Sequence, residues 1–173
     1  MSPTQKDINS QDLEVRILKS EDNLSTFDCS RDDLMGLNDF IHSDALQFQE
    51  ENLGVTHLFF HNKHIVGFAT LAMAQIEAKL CPPSSASRTI KYFPALLIGR
   101  LGVHNDYRDR NIGQNICLWC LGFAQQVSKE IGCRLVVVLT QGETVNFYKK
   151  CSFSIAPGYE NKPKIPMYLQ VPR

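Results

Sequence analysis

Leu97-Ile-Gly-Arg-Leu-Gly-Val-His104, followed by Asn105-Asp-Tyr-Arg-Asp-Arg-Asn-Ile-Gly-Gln114, decides how this chain folds. The first half is mostly apolar and reads as the end of a β-strand. The second half is a short polar loop that opens a long helix. In that helix Ile112, Ile116, Trp119, Cys120, Phe123, Val127 and Ile131 recur at steps of three and four and form one apolar stripe. A helix N-terminus carries unpaired N–H groups and a partial positive charge, so it attracts phosphate. Gly113 enters left-handed backbone freely, and Asn111 is among the least costly substitutes. Arg108 and Arg110 add charge of the right sign. The junction therefore has the make-up of a pyrophosphate cradle. It is neither the Walker pattern GxxxxGK[ST] nor the dinucleotide pattern GxGxxG, since both are absent. Spacing alone also admits a plainer reading, in which the two arginines are solvated charges ahead of an ordinary helix.

The flanking sequence supplies the rest of a mixed sheet. Leu13, Val15 and Ile17 alternate with polar residues as in a first strand. Residues 28–33 offer N-cap and acidic first-turn residues for a helix carrying Leu34, Leu37, Phe40 and Ile41, and Ser43 or Asp44 restarts a second short helix. Val55 to Phe60 and Ile65 to Ile76 read as a hairpin around a tight turn at His61-Asn-Lys-His64. Cys81 to Ser87, with two prolines and three serines, reads as a loop, and Tyr92 to Val103 as the longest strand. The long helix is expected to run from Ile112 to Ile131, closed by a left-handed Gly132. Leu135 to Leu139 is an unbroken apolar run suited to a strand buried on both faces. A short helix from Glu143 to Lys150 and strands at Phe153 to Ala156 and Met167 to Val171 complete the order. This pattern predicts an α/β fold, a mixed sheet with helices on both faces. Residues 1–12 are expected to form a flexible tail and 13–173 one domain.

Composition narrows the function classes. Eighteen Lys and Arg balance eighteen Asp and Glu, so net charge lends no support to a nucleic-acid or anionic-membrane partner. No apolar stretch is long enough to span a membrane and no signal peptide is visible, which reads as a cytoplasmic protein. Cys117-Leu-Trp-Cys120 is formally a CxxC, but it sits inside a helix and lacks a second ligand pair, so packing is the favoured reading over redox or metal chemistry. His57, His61 and His64 gather near the hairpin, where solvent-facing polar residues are expected rather than a metal site.

Arg108-Asp-Arg-Asn-Ile-Gly113 resembles the acetyl-CoA motif (Q/R)-x-x-G-x-(G/A) of the GNAT superfamily of N-acetyltransferases, with Asn111 where the motif has its first Gly. Asn146-Phe-Tyr-Lys-Lys-Cys-Ser-Phe153 is similar to that family's late segment, with Ser152 in place of the usual Gly. Phe27-Asp-Cys-Ser30, Val66-Gly-Phe-Ala69 and Leu97-Ile-Gly-Arg-Leu101 resemble the branch that includes the acetyltransferase toxins of toxin–antitoxin pairs, over about Leu13 to Val171. The resemblance implies a mostly antiparallel, twisted GNAT-like α+β sheet and acetyl-CoA as cofactor. It implies that Arg108, Asp109, Arg110, Asn111, Ile112, Gly113 and Gln114 hold the pyrophosphate, and that Leu101, Gly102 and Val103 bond the pantetheine arm as an added strand. Tyr148 is implied as the general acid on the leaving thiolate, and Phe147 as a neighbour of the pantetheine.

The acceptor implied is a primary amine: a small molecule, a protein amine or, as in the toxins, an aminoacyl-tRNA, which the balanced charge does not favour. The rival readings are a toxin acting on charged tRNA and a non-catalytic acyl-CoA-binding regulatory domain. A homodimer is compatible with the family. No base is legible. Glu77 and Glu143 are candidates, and an already neutral amine needs none. Arg100 is unusual in an apolar strand and would contact the acceptor or pair with a buried carboxylate.

Overall fold

Seven apolar segments become strands among the residues that the computed structural model describes, 6–82 and 89–173. They are β1 (Glu14–Ile17), β2 (Val55–His61), β3 (His64–Glu77), β4 (Tyr92–Val103), β5 (Leu135–Thr140), β6 (Ser154–Ile155) and β7 (Ile165–Gln170). They form one mixed sheet in the order β1-β2-β3-β4-β5-β7-β6. The pairs β1/β2, β2/β3, β5/β7 and β6/β7 are antiparallel, and β4/β5 is parallel. The helices are α1 (Leu37–Asp39), α2 (Ala45–Glu50), α3 (Ile112–Val127) and α4 (Gly142–Lys150). Residues 83–87 of the expected loop, and the first five residues of the expected tail, lie outside the described residues. The chain divides into two compact units, Met1–Leu71 with Arg100–Cys117, and Ala72–Gly99 with Leu118–Arg173.

In the first unit the hairpin turns at Asn62 (φ 48°) and Lys63 (φ 67°) between the paired His61 and His64. Two successive left-handed residues match the twist of the flanking strands. The core packs Leu18, Phe27, Phe40, Ile41, Ala45, Leu58 and Phe68. The first helix begins at Leu37, three residues later than the apolar spacing predicts. Gly36 at φ 68° breaks the chain direction, and the Asp33 carboxylate accepts from the N–H of Leu37 (2.9 Å) and of Asn38 (2.8 Å). Leu34 is left exposed. The expected restart at Ser43 or Asp44 is instead a π-helical turn, Phe40–Asp44, that carries the helix into α2. His57, expected in solvent, is buried on β2, and burial holds its imidazole below the ordinary value. Part of the expected tail is also held: Ile8 is buried and Ser10–Asp12 form a 3₁₀ turn.

In the second unit β5 is flanked by β4 and β7, with Ala95 to Leu97 in parallel register with Leu135 to Val137. Leu135 to Val138 are buried as an interior strand requires, whereas Leu139 is exposed. Ile76, Phe93, Ala95, Leu135 and Val137 pack together beneath it. Helix α3 stops at Val127, four residues short of expectation. The Ser128 hydroxyl donates to the Gln125 carbonyl (2.8 Å), and Lys129 and Glu130 tighten to i−3 carbonyls. Ile131 is exposed, and Gly132 is not among the left-handed glycines. Cys117 and Cys120 are both buried, and burial pushes the Cys120 thiol up to about 12.

Candidate functional site

The strand–loop–helix junction lies in the first unit. Strand β4 is held at its end by the His104 N–H donating to the Val66 carbonyl (2.9 Å). Leu101 and Val103 are half-buried and Gly102 is buried. A side chain at Gly102 is not accommodated, because a Cβ there would lie 2.5 Å from the Phe68 ring. A Cβ at Gly67 would fall 2.9 Å from the Gly102 carbonyl oxygen, so two glycines let β3 and β4 approach closely.

After β4 the chain makes a 3₁₀ turn, Asn105–Tyr107, capped by His104, whose Nδ1 accepts from the Asp106 N–H (3.1 Å). His104 Nε2 donates to the Thr26 carbonyl (2.9 Å), which fixes the tautomer. Arg31 N–H donates to Asn105 Oδ1 (3.1 Å) and Asn105 N–H to the Asp28 carbonyl (2.8 Å). The Asp28–Asp32 segment is thereby tied to the loop.

The loop itself alternates conformation. Asp109 (φ 58°) and Asn111 (φ 63°) are both left-handed, and Arg110 lies between them. Asn111 is the departure from the glycine motif, and it adopts the backbone that the missing glycine would take. Asp109 was not expected to be left-handed, although Asp is one of the few residue types enriched there. The first α-helical bond of α3 runs from the Asn115 N–H to the Asn111 carbonyl (3.0 Å). The N–H groups of Ile112, Gly113 and Gln114 precede it in the first turn, where a helix supplies no acceptor of its own. Ile112 is anchored in the core, while Asn111 and Gln114 are exposed and Gly113 is half-buried. This backbone fits a pyrophosphate: consecutive donors at a helix N-terminus, with Gly113 adding no side chain of its own.

The arginine side chains do something the sequence did not announce. Arg108 donates to the Arg31 carbonyl and pairs with Asp32 (3.4 Å). Arg110 Nε donates to the Lys6 carbonyl (3.2 Å), and its guanidinium lies over the Tyr107 ring at 5.2 Å. Both brace the loop against distant segments. Arg100, left open between acceptor contact and a buried pair, has its guanidinium over the Phe40 ring at 5.0 Å.

Phe147 and Tyr148 lie in the second unit, half-buried on α4. That helix ends in a Schellman motif. The Ser152 N–H donates to the Lys149 carbonyl (2.9 Å) and the Phe153 N–H to the Tyr148 carbonyl (3.0 Å), with Ser152 left-handed at φ 68°. The Tyr148 ring packs edge-on between Phe147 (4.9 Å) and Phe153 (5.5 Å). The second motif departure thus occupies a position whose backbone favours glycine. Of the candidate bases, Glu143 is exposed, and Glu77 is engaged by Lys79 at 2.7 Å, which holds its carboxyl below the usual range. Among the described residues no group of three or more His, Cys, Asp or Glu gathers as a metal site, and no helix is long and apolar enough to cross a membrane.

Residues 53–155, more than half of the chain, match the acetyltransferase (GNAT) domain. No curated protein matches the chain by sequence. Solved structures share the fold across nearly the full length of both chains. AtaT complexed with acetyl-methionyl-tRNAfMet is 20% identical with a TM-score of 0.78, covering 92% of this chain and 95% of that one. A tyrosine-to-phenylalanine mutant of KacT is 16% identical with a TM-score of 0.79, covering 93% and 96%. AtaTR bound with AcCoA is 20% identical with a TM-score of 0.74, covering 93% and 95%. The chain belongs to the GNAT acetyltransferase family. Its class of activity follows: acetyl-CoA-dependent N-acetyl transfer.

Proposed function

We propose that the chain acetylates a primary amine, with the Arg108–Gln114 loop holding the pyrophosphate of acetyl-CoA and Tyr148 acting as general acid. The observation that carries this reading is the left-handed pair Asp109 and Asn111 directly ahead of α3. It turns main-chain donors to one side of the loop, beside a helix N-terminus that favours negative charge. Acetyl-CoA supplies a thioester, an acyl group already activated for transfer to an amine. The protein's own work is to hold, align and move a proton. Leu101, Gly102 and Val103 offer strand backbone to the pantetheine amides. Arg108 and Arg110 act chiefly as braces that keep the loop donors aimed. Tyr148 gives its phenolic proton to the departing sulfur, and Phe147 packs beside it. Glu77 is a weakened base in its ion pair, which favours attack by an amine that is already neutral.

Calorimetry with acetyl-CoA tests the donor site. Micromolar or tighter binding is expected, abolished by Gly113→Trp, which fills the space over the helix N-terminus. Tyr148→Phe is expected to lower kcat by about 10²-fold or more with the Kd for acetyl-CoA unchanged. Absence of binding to the unmodified protein overturns the reading.

A second, narrower reading is that the amine belongs to an aminoacyl-tRNA. It is supported by the likeness over nearly the whole chain to AtaT, solved with acetyl-methionyl-tRNAfMet. The zero net charge weighs against it, because tRNA binding draws on phosphate contacts. Transfer of labelled acetyl groups to charged tRNA, and growth arrest on expression that Tyr148→Phe relieves, support it. Efficient turnover of small amines with no labelling of charged tRNA excludes it.

A further inference from the structure

We infer that the N-terminal segment Lys6–Ile8 is a strut for the donor loop and that Asn115 is the positioning residue coupling the two, an inference that rests on reading that loop as the pyrophosphate site. Three hydrogen bonds join stretches more than a hundred residues apart. The Ile8 N–H donates to the Arg110 carbonyl (3.2 Å), Asn115 Nδ2 donates to the Ile8 carbonyl (2.7 Å), and Arg110 Nε donates to the Lys6 carbonyl (3.2 Å). Ile8 itself is 4% exposed, so the segment is anchored by a buried side chain as well as by its backbone.

The consequence follows from the planarity of the peptide bond. The carbonyl of Arg110 and the N–H of Asn111 belong to one peptide unit and point in opposite directions. Drawing the Arg110 carbonyl onto the Ile8 N–H therefore aims the Asn111 N–H away from the N-terminal segment. The peptide so fixed joins Arg110 to Asn111, and both Asn111 and the preceding Asp109 are non-glycine residues in left-handed backbone. Such conformations persist where the surroundings over-determine them. Without the strut this peptide plane is free to rotate, and the loop loses a donor aimed at phosphate. Asn115 sits one turn into α3, where its own N–H makes the first helical bond to the Asn111 carbonyl. Its side chain thus ties the strut to the same turn that presents the donors.

The test compares Asn115→Ala and Ile8→Ala with the unmodified full chain. The readouts are the Kd of acetyl-CoA and kcat/KM with S-acetylpantetheine, a donor lacking the pyrophosphate. Alanine is the best helix former, so Asn115→Ala leaves α3 intact. The expected result is about fivefold weaker binding of acetyl-CoA in each variant, with turnover of S-acetylpantetheine unchanged. Equal losses with both donors mean a general structural defect and overturn the strut. Unchanged acetyl-CoA affinity overturns it too, as does tighter binding, which would make the segment a competitor of the donor. Failure of the unmodified chain to bind acetyl-CoA is a separate result: it removes the donor reading itself.

Discussion

Asn111 and Ser152 stand where the family motifs carry glycine, and both adopt left-handed backbone (φ 63° and 68°). The fold has kept the conformation and changed the residue. For an L-residue that conformation costs about 1–2 kcal/mol, less for Asn, whose short polar side chain bonds locally. Ser has less of that tolerance. Ser152→Gly is therefore expected to stabilise the protein by about 0.5–1 kcal/mol, after allowing for the greater freedom of glycine in the unfolded chain. Asn111→Gly is expected to gain a few tenths at most. Urea unfolding checks both: the midpoint should rise for Ser152→Gly with the slope unchanged. A lowered midpoint would mean that the Ser152 side chain makes a contact worth more than the strain. Glu77 gives a second test at this scale. Its exposed pair with Lys79 contributes little to stability. Because the pair leaves Glu77 a weakened base, Glu77→Gln is expected to change kcat less than twofold and leave the pH–rate profile in place. A shifted acidic limb would restore Glu77 as the base.

Elements show where the sequence was legible. Strand β4 runs from Tyr92 to Val103 as its apolar run predicts, because burial on a sheet leaves a continuous signature. The hairpin was equally plain, since His61-Asn-Lys-His64 has room for only a two-residue turn. Helix ends were not. The start at Leu37 depends on the backbone of Gly36 and the reach of Asp33, and the stop at Val127 on which carbonyl Ser128 prefers. The pattern of the proposed donor loop was legible as a polar turn opening a helix, but the contacts of its two arginines were not. Arg108 meets Arg31 and Arg110 meets Lys6, partners 77 and 104 positions away that no local spacing encodes. Gly102 was singled out for the cofactor, yet the structure gives it a packing reason of its own. A methyl there would sit 2.5 Å from the Phe68 ring. Gly102→Ala is expected to cost about 1–3 kcal/mol through overpacking, measured by thermal or urea unfolding without ligand. A neutral outcome would mean that Phe68 swings aside at no cost.

At the scale of the whole molecule, eighteen positive and eighteen negative side chains leave no net charge at pH 7, and the response of stability to pH is carried by groups whose pKa differs between folded and unfolded chain. His57 is the one expected to act in the mildly acidic range. It is 6% exposed on β2, and burial lowers its pKa while a bond to the Val55 backbone partly offsets that. The unfolded chain takes up a proton near the ordinary histidine value, about 6.5, and the folded chain resists it. Protons therefore bind the unfolded state more tightly in that window. The stability tied to His57 is whole above the unfolded value and is lost as pH falls toward the lowered folded value. Asp22 acts in a different window. A hydrogen bond from Arg16 holds its carboxyl below the ordinary range, so its contribution is retained through mild acid and lost only as pH falls below the usual carboxylate value. The Arg16 side chain is 44% exposed, so that contribution is small. Urea midpoints at pH 7.5, 6.5 and 5.5 separate the two groups. The native chain is expected to lose little stability from pH 7.5 to 6.5 and more from 6.5 to 5.5, while His57→Gln, whatever its absolute stability, shows a flatter dependence. Parallel slopes for the two proteins would show that the proton taken up on unfolding is bound elsewhere.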